Sequence, residues 1–127
     1  SIVVESAATD FRTFDVQISD VTARYAGRGA ILISRLRGVG AISDITVTNV
    51  LSEHAGSTAE RADYDVSGAD NVLLRDCVSI QSRGYGFRAG DDVTGVVVLG
   101  GQVSGAHVAE YVGDFAQLEI NGAHLVP

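Results

Sequence analysis

Asn71-Val72-Leu73-Leu74-Arg75-Asp76-Cys77-Val78-Ser79 is the stretch whose reading decides the fold. From Val72 it runs apolar, any, apolar, any, then Asp, then a small or apolar residue. The same template returns at Val16-Gln17-Ile18-Ser19-Asp20-Val21, Ile45-Thr46-Val47-Thr48-Asn49-Val50, Val96-Val97-Val98-Leu99-Gly100-Gly101 and Leu118-Glu119-Ile120-Asn121-Gly122-Ala123. Starts at 16, 45, 72, 96 and 118 lie 29, 27, 24 and 22 residues apart. Spacings of this size suit one strand-rich coil of a solenoid, with the slack taken up in loops.

Alternation gives each such strand one inward and one outward face. The expected inward columns are Val16, Ile45, Val72, Val96 and Leu118, then Ile18, Val47, Leu74, Val98 and Ile120. Asp, Asn or Gly at the next corner tolerates left-handed backbone and can bond neighbouring amides. Cys77 falls beside that corner, as Val21, Val50, Gly101 and Ala123 do, which suits a buried inert thiol, with a reactive one as the alternative. A second strand follows each corner, and Tyr25, His54 and Gln81 share an offset nine residues after their coil starts, so they are expected to form one column. Third strands are expected at Ala30-Ile31-Leu32-Ile33, Tyr64-Asp65-Val66, Gly86-Phe87-Arg88 and Glu110-Tyr111-Val112. The longest turn, about Ala55 to Asp63, is the best candidate for a functional protrusion.

Composition agrees with strands. Of 127 residues 46% are hydrophobic and 20% charged, with 15 Gly and one Pro, so a continuous core is affordable and long helices are not indicated. The net charge of −7 argues against nucleic acid and against anionic membrane surfaces. A single cysteine forbids an internal disulfide framework. Ser1-Ile2-Val3-Val4-Glu5 has neither an initiator Met nor the basic start of a signal peptide, so the chain reads as a processed product or an excised piece.

Asn71 to Ser79, running on to Gly84-Tyr85-Gly86-Phe87, resembles the repeat of the pectate-lyase-like right-handed parallel β-helix superfamily, and the likeness extends from Phe14 onward. The resemblance implies an all-β, right-handed parallel β-helix of about five coils with three strands per coil, residues 1–127 forming a single domain. It implies an extracellular, cell-surface or virion setting and an acidic or bacterial polysaccharide as partner. The expected function is a lyase, epimerase or hydrolase acting on that polysaccharide; the alternative is a non-catalytic glycan-binding or structural segment of a phage tailspike or surface adhesin. Members of that superfamily resemble longer stacks with a capping helix. About five coils without an evident cap would expose sheet edges, so a longer stack or an oligomer is expected.

The chemistry-bearing residues fall into small sets. Gly90-Asp91-Asp92 resembles the polygalacturonase Gly-Asp-Asp element, and paired carboxylates can divide acid and base work. The partner motifs of that family are absent, and Asp70 and Asp114 mark the neighbouring turns, where Asp is simply a good turn residue. His54 could shuttle a proton beside Glu53, Glu60 and Asp63, or sit in a solvated loop. Arg83 and Arg88 could hold a uronate, and the resemblance implies an Arg base if the protein is a lyase; the alternative is pairing with Asp91 and Glu110. The candidate catalytic set is thus His54, Arg83, Arg88, Asp91 and Asp92, with Tyr25, Tyr64, Tyr85, His107 and Tyr111 expected to contact substrate. No spacing points to a metal site, and no cofactor is expected; Ca²⁺, which the superfamily's pectate lyases use, is not indicated. Outward-facing Leu73, Val97 and Leu99 suggest a covered face, for instance in a homotrimer.

Overall fold

Left-handed backbone recurs every five residues along each coil and bends the strands into corners. In the computed structural model, which describes residues 2–6, 12–35, 40–55 and 61–126, positive φ occurs at Asp15, Asp20 and Tyr25, at Asp44, Asn49 and His54, at Asn71, Asp76 and Gln81, and at Gly95, Gly100 and Gly105. Asp, Asn and Gly are the residues that adopt this conformation most readily, and they fill the first two corners of every coil. The corner residues drop out of the ladder, as Asp20 and Asn49 do between the strands Arg12–Arg24 and Ala41–Glu53, and pairing resumes in the same register beyond them.

Eleven strands and no helix are found among the described residues: β1 (Ile2–Ser6), β2 (Arg12–Arg24), β3 (Ile31–Arg35), β4 (Ala41–Glu53), β5 (Ala62–Val66), β6 (Asp70–Ile80), β7 (Tyr85–Ala89), β8 (Thr94–Ser104), β9 (Ala109–Gly113), β10 (Gln117–Ile120) and β11 (Ala123–Val126). The long even-numbered strands β2 to β8 each carry the expected first and second strands as two arms about one corner. They stack in the order β11-β10-β8-β6-β4-β2, and the short strands form a second sheet, β1-β3-β5-β7-β9. Every pairing is parallel except that of β10 with β11. The result is an all-β solenoid of about four turns.

Registers confirm most of the columns read from the sequence. Val16 pairs with Ile45, Ile45 with Val72 and Val72 with Val96; Ile18, Val47, Leu74 and Val98 follow suit. The fifth member is a correction. Leu118 lies against Val98, not Val96, and Ile120 against Gly101. Asn121 and Gly122 both adopt positive φ, so the chain reverses in a two-residue hairpin where earlier coils make a single-residue corner. Asn121 still bonds the coil below: its Oδ1 accepts from the Val103 amide at 3.1 Å and its Nδ2 donates to the Val103 carbonyl at 3.0 Å. The fifth repeat is therefore a closing hairpin.

The interior is one apolar cluster lined by both sheets. Full burial of each Val, Leu or Ile contributes about 1.5–3 kcal/mol, so the repeated columns carry the fold. Cys77 is buried among them, as the inert reading expects, and burial pushes its thiol up to about 12. On the third face Ile31, Tyr64, Phe87 and Tyr111 form one column by register. Tyr64 and Phe87 stack at 4.8 Å, and Tyr111 meets Phe115 edge-on at 6.3 Å. β1, which the repeat pattern did not reveal, adds Ile2 and Val4 to this face.

Candidate functional site

The predicted site residues separate onto two turn edges and the core. Tyr25, His54 and Gln81 end their arms in successive coils, each amide donating to the carbonyl one coil on: Tyr25 to Glu53 at 2.9 Å, His54 to Ile80 at 2.9 Å and Gln81 to Ser104 at 2.7 Å. The expected column therefore exists. The Tyr25 and His54 rings lie parallel, 5.1 Å apart with 7° between planes, and Tyr25 is 73% exposed. Arg24 bridges to Glu53 at 3.1 Å just inside this corner. Arg83 and His107 follow on the same edge, tied to it by amide bonds to the Ala55 and Ser82 carbonyls, and Tyr85 opens β7 there. We call this the first edge. Residues 56–60 of the long turn, Glu60 included, lie outside the described residues.

Arg88, near the far end of β7, and Asp91 and Asp92, just beyond it, occupy the second edge. With Arg35, Ser67 and Gly68 they line an open, polar cleft of about 200 Å³. Arg35 donates to Asp92 at 3.2 Å. Its side chain lies across Gly68, where an added Cβ would fall 2.6 Å from Nε and push Arg35 aside. Arg88 pairs with Asp65 at 3.9 Å. Burial raises the Asp65 carboxyl, and the Arg88 and Arg61 charges oppose that. His54 and Arg83 thus lie at the first edge, at the Tyr85 end of β7, whereas Arg88 lies toward its other end.

One substrate-contact expectation needs correction. Tyr64 is fully buried, and its hydroxyl lies 2.9 and 2.7 Å from the Val50 and Val78 carbonyls inside the prism. It has no surface to offer a ligand, and burial raises its pKa. Tyr111 shares the register of that column but stands at the end of the stack, where it is 37% exposed. The outward Leu73, Val97 and Leu99 are half-buried by their neighbours.

A buried polar group went unnoticed in the sequence. Asp63 has no exposed surface; Ser79 donates to its Oδ2 at 2.6 Å, while its Oδ1 and the Ser52 hydroxyl find no partner. Burial raises the Asp63 carboxyl, and the hydrogen bond from Ser79 works against that. The signal was the polar Ser52 and Ser79 in an otherwise apolar inward column that ends in Val103.

Among the described residues no group of three or more His, Cys, Asp or Glu side chains is placed to hold a metal ion. No helix among them is long and apolar enough to cross a membrane. Compared with known proteins, the chain matches no family model, no curated protein and no solved structure.

Proposed function

We propose that this chain is a glycan-binding segment of a right-handed, pectate-lyase-like β-helix, displayed outside the cell or on a virion, which holds a polysaccharide along its first edge. One observation carries the reading. Tyr25, His54 and Gln81 hold the left-handed corner at φ of 54°, 52° and 52°, where the next coil uses Gly105. Each such residue costs of order 1 kcal/mol, and strain of this kind persists where a side chain is needed. The three present a phenol, an imidazole and a carboxamide at about 4.8 Å intervals, a ladder of hydrogen-bonding tips that suits a hydroxyl-rich polymer. Arg83 stands by for an acidic sugar. The binding reading is preferred to a catalytic one because the candidate acids and bases are divided between two edges.

The catalytic reading rests on the second edge, where Arg35, Arg88, Asp91 and Asp92 surround one cleft. A single assay separates the two. Pectate, alginate and capsular glycans are incubated with the protein, with binding followed by affinity electrophoresis and turnover by ultraviolet absorbance of unsaturated products or by reducing ends. Binding without turnover that weakens about tenfold in His54→Ala or Gln81→Ala, with folding intact, supports the first edge as a binding ledge. Turnover abolished by Asp92→Asn supports the second edge, and neither binding nor turnover removes the glycan reading. The lateral column Leu73 and Val97, with Leu99 beside it, would pack against sister chains if the intact assembly is a trimer.

A further inference from the structure

At the turn between β10 and β11 a side chain does what a strand does elsewhere. β8 runs past its corner to Ser104, but the last β10 residue paired with it is Ile120, opposite Gly101. Val103 has Ser79 as its ladder partner on one side. On the other, both its backbone groups are held by the Asn121 carboxamide, through the Oδ1 and Nδ2 bonds of 3.1 and 3.0 Å. A carboxamide carries the same donor and acceptor as a peptide group, so Asn121 adds one rung to the ladder. Its own amide donates to the Gly101 carbonyl at 2.8 Å, which fixes the side chain over Val103.

The residue that follows makes this rung chemically vulnerable. Gly122 has no Cβ to shield its nitrogen, and the space around it is open: an added Cβ would meet nothing within 4 Å. The other two asparagines are placed differently. Asn49 and Asn71 precede Val50 and Val72, whose branched side chains crowd the next nitrogen, and their Nδ2 atoms donate to Asp20 at 2.7 Å and Asp44 at 2.6 Å.

We propose that Asn121 is a self-modification site, gated by its clamp on Val103: the chain deamidates there when the hairpin opens, and the product cannot remake the clamp. The Gly122 nitrogen gives up its proton and attacks the Asn121 Cγ. A C–N bond forms, the Cγ–Nδ2 bond breaks, and Nδ2 takes up a proton and leaves as ammonia. Water then opens the resulting succinimide at either carbonyl, giving an aspartate or an isoaspartate. Because Nδ2 is the leaving group, its bond to the Val103 carbonyl must break first, so the reaction proceeds through local opening. An aspartate keeps the acceptor but sets an oxygen against the Val103 carbonyl, and an isoaspartate also inserts a methylene into a two-residue turn. Either leaves that carbonyl without its donor. Conversion is therefore one-way, and it loosens the hairpin from β8.

The test follows the conversion of amide to acid by peptide mass mapping at mildly alkaline pH, in native protein and in the same protein unfolded in urea. The expected result is conversion at Asn121 ahead of Asn49 and Asn71 in urea, and at least about tenfold slower conversion at Asn121 in the native protein. Low urea should speed the native reaction in step with hydrogen exchange of the Val103 amide. The converted protein, separated by its extra negative charge, should exchange that amide about tenfold faster, and Asn121→Asp should do the same without any ageing. Equal native and unfolded rates would overturn the gate. Native protein that exchanges the Val103 amide yet never converts would overturn the site. Asn121→Asp with unchanged exchange at Val103 would overturn the clamp.

Discussion

Two coils built to the same pattern differ in how much their residues contribute. In β4 the inward Ile45, Val47 and Val50 are roofed on both sides by β2 and β6; in β2 the matching Val16, Ile18 and Val21 are roofed on one side only. Chemistry and backbone are alike, so position in the stack alone sets the burial. The lesson is that stability in this molecule is a nearest-neighbour property: each coil makes the interior of the next.

The largest expected effect tests that lesson directly. Ile45→Ala removes a fully buried side chain from the middle of the stack and should cost about 2–5 kcal/mol in chemical denaturation. Ile18→Ala should cost about half as much in dilute protein. Equal costs would break the comparison.

How far this was readable from the sequence follows from the same stacking. The columns through Val16, Ile45, Val72 and Val96 were plain because a stacked ladder repeats its inward residues. The slip at Leu118 was hidden because Asn121-Gly122 fits the repeat template and a hairpin equally well; only the two positive φ values separate them. β1 has no second arm, so it carries no repeat. The site was less readable. Tyr64 looks like a surface tyrosine in Ala62-Asp63-Tyr64-Asp65-Val66, yet all five residues are buried. Asp63 is tolerated there because it faces Ser52 and Ser79, while the next coil places Gly86 against Val103, where an added Cβ would fall 2.7 Å from Val103 Cγ2. That exchange of a polar pair for a glycine and a valine shows only once the register is known.

The Asp63 pocket should therefore set a pH dependence confined to the middle of the stack. Its carboxyl is raised on folding, so the folded state holds the proton more tightly than the unfolded chain. The associated stability is fully present below the unfolded value near 3.8 and is lost as pH rises through the folded value. Asp65 is raised as well and adds in the same direction. Denaturation midpoints from about pH 4 to 7 should fall with rising pH, and Asp63→Asn should flatten that slope. A slope unchanged in Asp63→Asn would mean that another group carries it.

On the second edge the expected effect is smaller and local. Gly68→Ala would place Cβ 2.6 Å from Arg35 Nε and put alanine at φ +59°. A stability cost of about 1–2 kcal/mol is expected. The Arg35–Asp92 pair should open as Arg35 is pushed aside, and its loss would be read from the Arg35 side-chain signals in an NMR spectrum. If the cleft binds an anionic sugar, Gly68→Ala should weaken that binding while leaving the first edge untouched.

The smallest effect discriminates between corner and ledge. At the second corner the chain places Asp20, Asn49, Asp76 and Gly100, residues suited to left-handed backbone, but at the third it places Tyr25, His54, Gln81 and Gly105. If the third corner were chosen for stability alone, glycine would suit every coil. Gln81→Gly should therefore stabilise the protein by about 0.5–1 kcal/mol, the relief of a left-handed side chain offset by a freer unfolded chain. Asp76→Gly should gain little by comparison, because Asp already tolerates that conformation. His54→Gly should gain less than Gln81→Gly, since it also gives up the ring contact with Tyr25. Thermal denaturation of the three variants ranks them. A gain in Gln81→Gly together with weakened glycan binding would mean that the glutamine is kept for what it touches. A loss of stability there would mean instead that Gln81 packs its corner, and the ledge would then rest on Tyr25 and His54 alone.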